Sequence, residues 1–378
     1  MANWFITQGK QVHKVCLNPG DAWDWRGVKG GQTHHFKEHP GQWRSYLEQL
    51  LRDKHITAIV LFGQGRRYHQ VAIELAEMAA VQVYVMEEGY FRPGFVTFEQ
   101  GGVNGFSRIP PVTEINALGQ IELQQVPAPE TTAFHFAKMA WHATAYYLVM
   151  WWRRHQYPAY QHHRPTSPWR YTALWLRSWA RKGLRRRSDR KRVKSLIDQR
   201  LPYFFVPLQC PEDSQINLHS PYTTIEEFVL EVLQSFARHA PAAAHLLFKQ
   251  HPMSRGETLY GPFINSLARQ LGVQTRVHFV TETHNPTVLD HCQGVVTINS
   301  TMGLQALDHQ KPVKALGEAF FNTAGLTDQQ PLDTFWEAPK LPAVNTTKFI
   351  CYVKCKTQIP GSLYAMADEP WLGLHKGV

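Results

Sequence analysis

Apolar residues in this chain fall into short, nearly continuous runs separated by stretches where they recur every three to four positions. In the first half, Ile56–Phe62 predicts a buried strand, Gly63-Gln64-Gly65-Arg66-Arg67 a turn, and the spacing from His69 to Ala80 a helix. Val81–Met86 predicts a second strand, so this stretch reads as a strand–helix–strand unit. In the second half the runs Tyr203–Leu208, His245–Lys249, Val277–Val280, Gly294–Ile298 and Pro312–Leu316 predict strands. Between them, Thr224–His239, Phe263–Leu271 and Thr301–Asp308 carry helical spacing. The alternation predicts two wound α/β halves with the ligand cleft between them.

The middle of the chain breaks the pattern. From Trp151 to Lys194 there are fourteen Lys and Arg against the single acid Asp189, whereas the whole chain of 378 residues carries a formal charge of +10. The remainder is therefore slightly acidic, and the positive charge is one segment's property. Within and just before it lie Trp141, Tyr146, Tyr147, Trp151, Trp152, Trp169, Trp175 and Trp179, interleaved with Arg. Rings that settle at headgroup depth, beside cations that pair with lipid phosphate, suit a helix lying on an anionic membrane surface. On that reading Trp151, Trp152, Trp175, Trp179, Arg185, Arg186 and Arg187 are the membrane contacts. A solvated helical hairpin packed by its aromatics is the plainer alternative. Nucleic acid is not the expected partner, since no helix-turn-helix, RNP or zinc pattern accompanies the charge. These shifts divide the chain at 1–135, 136–200, 201–335 and 336–378, the last piece returning to the N-terminal half.

The five cysteines, Cys16, Cys210, Cys292, Cys351 and Cys355, are scattered and contain no CxxC pair, which disfavours a disulfide framework or a zinc site. The start of the chain lacks a secretory h-region, and no apolar run is long enough to span a bilayer. A cytoplasmic address is expected, peripheral on the inner face of the membrane.

Four patches at strand ends hold the candidate chemistry. Glu87 and Glu88, followed by Gly89 and Arg92, offer a general base with an orienting partner, or a solvated turn. Gln209 to Asp213 offers Asp213 as a nucleophile or as an ordinary cap. Lys249-Gln250-His251-Pro252 sets a cation and an imidazole against substrate charge. Asn299-Ser300-Thr301-Met302-Gly303 opens a helix, where free N–H groups and two hydroxyls suit a phosphate, or simply cap the helix. Gly63-Gln64-Gly65 is too short for a dinucleotide fingerprint and no Walker sequence is present, so ATP or NAD chemistry is not expected.

Taken in order, the patches resemble the bacterial capsule polysaccharide synthesis/export family, in its KpsS/LipB branch. The likeness rests on Val83-Tyr-Val-Met-Glu87-Glu88-Gly-Tyr-Phe-Arg92-Pro-Gly and on Gly102-Val-Asn104-Gly-Phe-Ser107. It continues through Asn18-Pro-Gly-Asp21, Gln209 with Asp213, Lys249 with His251-Pro252, Asn299-Ser-Thr-Met-Gly303, and Thr357-Gln358 with Gly361-Ser-Leu-Tyr364. The resemblance implies an α/β, GT-B-like protein with two Rossmann-like halves and an inserted basic, aromatic-rich helical segment. It implies a retaining transferase that moves 3-deoxy-D-manno-oct-2-ulosonic acid (Kdo) from CMP-β-Kdo to a phosphatidylglycerol-type lipid. No cofactor or metal is implied; a KpsC-type transferase and the capsule ABC transporter are the implied protein partners. By motif, Asp213 would be the nucleophile, and the pair Glu87 and Glu88 would hold the acid/base, position favouring Glu87. Gln209, Lys249, His251, Asn299, Ser300, Thr301, Gly303, Arg92 and Asp21 would line the substrates. Asp21 has the alternative of belonging to the first strand-to-helix turn. A non-catalytic export or scaffold protein is the alternative function.

Overall fold

The computed structural model describes residues 1–92, 94–118, 133–162, 168–211, 214–344 and 346–363. Its strands are β1 (His13–Cys16), β2 (Gln32–His35), β3 (Ala58–Phe62), β4 (Gln82–Glu88), β5 (Phe95–Gln100), β6 (Tyr203–Pro207), β7 (His245–Lys249), β8 (Val277–Val280), β9 (Gly294–Thr297), β10 (Val313–Ala315) and β11 (Gln358–Pro360). The described residues pack as two compact units. The first draws on Met1–Val103, Gln124–Tyr171 and Lys354–Val378, the second on Asn104–Leu123 and Thr172–Val353.

In the first unit, β1 and β2 form a small parallel pair joined through helix α1 (Pro19–Trp25). A second sheet has the order β11-β5-β4-β3. β3 and β4 are parallel across helix α2 (Arg67–Met78), which is the predicted strand–helix–strand unit. Beyond it the expected winding stops, because β5 turns back antiparallel on β4 and β11 pairs antiparallel with β5. Gly89 permits the reversal: a Cβ there would collide with the Phe95 carbonyl, and Gly89 N–H donates to that oxygen at 3.0 Å. Tyr84 stacks on Phe98 across the pair at 5.4 Å, and with Trp4 and Ile359 they form a compact apolar cluster. Helix α3 (Ala133–Trp152) also belongs to this unit.

Helix α4 (Pro168–Asp198) leads into the second unit, where α5 (Ser214–His219), α6 (Ile225–His239) and α7 (Thr301–Asp308) follow. The sheet is all parallel with order β10-β9-β6-β7-β8. Read from the other edge and numbered within the unit, this is the doubly wound order 3-2-1-4-5, with its reversal between β6 and β9. Such strands are covered on both faces and read as unbroken apolar runs; β6 is buried from end to end. α6 shows why its sequence is helical. Ile225, Phe228, Val229, Val232, Leu233 and Phe236 fall on one stripe and are fully buried. Thr224 and Glu227 close a reciprocal capping box at its start. Each of those side chains contributes about 1.5–3 kcal/mol on burial. Trp336 completes this core and donates its indole N–H to Ser235 at 2.8 Å.

Candidate functional site

The second unit gathers its predicted groups at the carboxyl ends of its strands. Gln209 follows β6 and Asn299 follows β9, so the two flank the strand-order reversal, the place where doubly wound sheets bind ligands. They hold each other: Gln209 Nε2 donates to Asn299 Oδ1 at 2.9 Å, and Asn299 N–H donates to Gln209 Oε1 at 3.3 Å. Both are buried, so this paired bond fixes the two loops rather than decorating a surface. Asp213, four residues after Gln209, lies outside the described residues, as does Glu212; α5 begins at the next position, Ser214. Ser300 caps α7, its Oγ accepting from Met302 N–H at 3.2 Å, and Thr301 is the first helical residue. Gly303 has a packing reason: a Cβ there would press on the Phe321 ring at 2.8 Å.

Lys249 closes β7 and is almost wholly buried. Burial lowers its pKa to about 8, with Glu282 pulling upward and Arg255 downward. The next loop is fixed by Gln250, whose Nε2 donates to Ser254 Oγ at 2.6 Å and to the Thr258 carbonyl at 3.1 Å. His251 Nδ1 accepts from Met253 N–H at 3.2 Å, which places the ring proton of the neutral form on Nε2. Glu282, just past β8, is ion-paired with Arg255 and lies 4.0 Å from Lys182.

Sequence reasoning missed several groups here. Asp189, the lone acid of the basic segment, is buried and accepts from Thr281 N–H, Thr281 Oγ1 and Glu282 N–H at 2.7–3.1 Å. Arg192 donates to the Phe279 carbonyl at 3.0 Å and Arg181 to that of Arg255. Part of α4 thus straps the edge of the sheet that carries the Lys249 loop. A signal for this exists in the sequence: one acid among fourteen cations is an anomaly that burial explains. His219 carries no signal in the sequence motifs. It is buried with Nδ1 3.2 Å from Glu318 and, among the described residues, Nε2 has no hydrogen-bond partner; the Asn104–Phe106 turn covers its ring so closely that only glycine fits at 105. Its carbonyl accepts from Asn299 Nδ2 at 3.3 Å, joining it to the paired amides.

In the first unit, Glu87 and Glu88 lie within β4, not after it as the sequence suggests. The strand continues because β5 supplies partners Thr97 and Val96 for them. Successive strand residues face opposite sides, so the two carboxylates are separated. Glu88 is exposed and 3.4 Å from Arg92, which also donates to the Gly89 carbonyl at 3.0 Å. Glu87 is half-buried, its Oε1 lying over the turn at Gly63, 3.6 Å from where a Cβ would project. Gly63 has φ +71°, and Gln64 holds the turn by exchanging hydrogen bonds with the backbone of Val103 at 3.1 and 3.3 Å. Asp21 belongs to the capping box of α1: Oδ2 accepts from Leu17 and Asn18 N–H, and Oδ1 accepts from Tyr146 OH at 2.9 Å. Tyr146 lies against Gly20, where a Cβ would meet the ring at 2.5 Å.

The family model described as capsule polysaccharide biosynthesis protein matches residues 57–364 of this chain, a span that includes every motif above except Asn18–Asp21. The chain belongs to the capsule polysaccharide biosynthesis family. It is 36% identical to the capsule polysaccharide export protein KpsS of Escherichia coli, covering 96% of this chain and 93% of that protein. It is 34% identical to the capsule polysaccharide modification protein LipB of Neisseria meningitidis serogroup A, covering 98% and 89%. Among solved structures, a Thermosulfurimonas dismutans KpsC β-Kdo 2,7 transferase aligns over 94% of this chain and 93% of its own, at 17% identity and a TM-score of 0.49.

Of the membrane candidates, Trp151, Trp152 and Trp179 are exposed and Trp175 is half-buried against Trp179. Arg186 and Arg187 are exposed and Arg185 is partly covered. Arg154 lies over Trp151 and Arg153 over Trp152, at 5.7 and 6.0 Å. Among the described residues no helix is long and apolar enough to cross a membrane, and no three His, Cys, Asp or Glu side chains converge as a metal would require.

Proposed function

We propose that this capsule-family protein is a retaining glycosyltransferase that moves Kdo from CMP-β-Kdo to a phosphatidylglycerol or lyso-phosphatidylglycerol acceptor. The product would be the lipid-linked start of the capsule linker. The observation that carries the reading is the buried Gln209–Asn299 pair at the strand-order reversal, with Lys249 one strand away and the Ser300 helix start beside it. Such a place suits a nucleotide-activated anionic sugar. The relatives named for capsule export and modification supply the biological setting.

Asp213 is assigned the nucleophile. Its carboxylate bonds to the anomeric carbon as the bond to CMP breaks, and CMP leaves with the electron pair. The acceptor hydroxyl then attacks the same carbon, its proton passing to Glu87, and Asp213 is released as the carboxylate. Two inversions give net retention. CMP departs as an anion, so cations and helix-start N–H groups assist it more than protonation does; Lys249, His251, Ser300 and Thr301 are assigned there. Gln209, Asn299 and Gly303 shape those loops, and Arg92 and Asp21 are assigned to the acceptor side. No metal or cofactor enters. The exposed Arg186 and Arg187, with Arg185, would attract an anionic leaflet, each cation contributing about 1 kcal/mol near such a surface. A KpsC-type transferase and the capsule ABC transporter would act on the product.

Incubating purified protein with CMP-β-Kdo and a fluorescent lyso-phosphatidylglycerol should give a product heavier by one Kdo. If none forms while a verified transferase works in parallel, the activity is lost as a reading. A pH dependence accompanies it. Lys249 is charged below its pKa of about 8 and neutral above it. CMP affinity should therefore hold below pH 8 and fall above it, approaching tenfold per pH unit if the cation is indispensable. Lys249→Arg should flatten the calorimetric profile, and an unchanged slope would remove Lys249 from the anion site. The name of the Escherichia coli relative favours one competitor, a non-catalytic export protein. That reading requires capsule export to survive Asp213→Ala.

A further inference from the structure

α3 carries a feature that the charge of the middle segment does not explain. Trp141, Leu148 and Trp152 are 68%, 53% and 72% exposed, far above the usual state of such side chains. At positions i, i+7 and i+11 they lie within one stripe of the helix, running along most of its length. The other side of the helix is anchored: Tyr146 donates to Asp21 and accepts from Asn18 Nδ2 at 2.8 Å, and His142 meets the Trp23 ring edge-on. The stripe therefore lies away from the side by which α3 is attached to α1. At its end stand Arg153 and Arg154, and the sequence from 131 to 188 contains no Asp or Glu at all. A second protein surface would have to meet a stretch of chain that carries cations and no acid of its own, whereas a phospholipid leaflet offers both the apolar layer and the phosphates.

We infer that α3 lies in the membrane plane as an interfacial helix, its Trp141–Leu148–Trp152 stripe entering the headgroup and acyl boundary and Arg153 and Arg154 resting at phosphate level. This deepens the membrane side of the proposed function, because it makes attachment depend on apolar insertion by α3 as well as on the charge of α4. Two consequences separate insertion from attraction. Salt screens cations at the surface but not an inserted stripe, so part of the binding must persist at high ionic strength. A stripe that inserts must also bind zwitterionic lipid to a measurable degree.

The test is flotation of the full chain with vesicles of phosphatidylcholine, alone or mixed with phosphatidylglycerol, at low and high salt. Wild type should float with mixed vesicles and retain a salt-resistant fraction. The triple variant Trp141→Ser, Leu148→Ser, Trp152→Ser should lose about a hundredfold in partitioning and all of that fraction. Arg185→Gln, Arg186→Gln, Arg187→Gln should lose only the salt-sensitive part. Thermal melting followed by circular dichroism should match wild type, since the substituted groups are exposed. If the serine variant floats as well as wild type, insertion by α3 is overturned while the charged-surface reading stands. If wild type floats with no vesicle, both fall. If wild type does not float and light scattering shows an oligomer that the serine variant dissolves, a second copy covers the stripe instead.

Discussion

Asp213→Ala is expected to abolish the proposed Kdo transfer, lowering kcat by about 10⁴-fold or more, since losing the residue assigned as nucleophile closes the proposed double-displacement route altogether. In the sequence Asp213 falls between Gln209, which pairs with Asn299, and Ser214, the first residue of α5. CMP binding, which the proposed function assigns to Lys249 and the Ser300 helix start, should remain within about threefold of wild type, and calorimetry can read it separately. The decisive measurement is mass spectrometry of intact protein mixed with CMP-β-Kdo and no acceptor. Wild type should gain one Kdo, and peptide mapping should place it on Asp213. Absence of an adduct in a protein that turns over would exclude the covalent route and leave same-face substitution.

Much of this arrangement is legible in the amino-acid sequence. Buried parallel strands such as β6 and β7 announce themselves because both faces are covered, so β6 is apolar at every position and β7 at its three central ones. The helices between them do so by their stripes, and the patches at strand ends follow from the topology. What escapes are features set by contacts distant in sequence. β11 is three residues long and has no pattern of its own; it exists because β5 offers an open edge and Gln358 donates to Thr97 Oγ1 at 3.0 Å. β4 reads as ending at Met86, since Glu87 and Glu88 are poor strand residues, yet pairing with β5 carries it through both. Gly20 and Gly303 sit in motifs that invite a ligand, and each has a packing partner in Tyr146 or Phe321. The basic segment divides likewise, Arg181, Arg192 and Asp189 going to the fold while Arg186 and Arg187 stay at the surface.

The extension of β4 makes the two neighbouring carboxylates unequal, and Glu87→Gln should separate them by experiment. A strand alternates its side chains, so Glu87 and Glu88 cannot serve one site together. Glu88 is exposed beside Arg92 at 3.4 Å, where a surface pair contributes little and its loss is mild. Glu87 is half-buried and faces the Gly63 turn, itself held by Gln64 and Val103. Such support is what a proton-transferring group needs to stay in place. Glu87→Gln is therefore expected to lower kcat for lipid acceptor by about 10²–10⁴-fold, and Glu88→Gln by less than about tenfold. The lost step also has a signature. CMP leaves without needing protonation, so Glu87→Gln should still form the Asp213 adduct but pass it slowly to the acceptor. Intact mass under turnover should then show more sugar-bearing protein than wild type, whereas Glu88→Gln should show none of that accumulation. If Glu88→Gln stalls the reaction and Glu87→Gln does not, the roles are exchanged and the ion pair with Arg92 becomes the catalytic element.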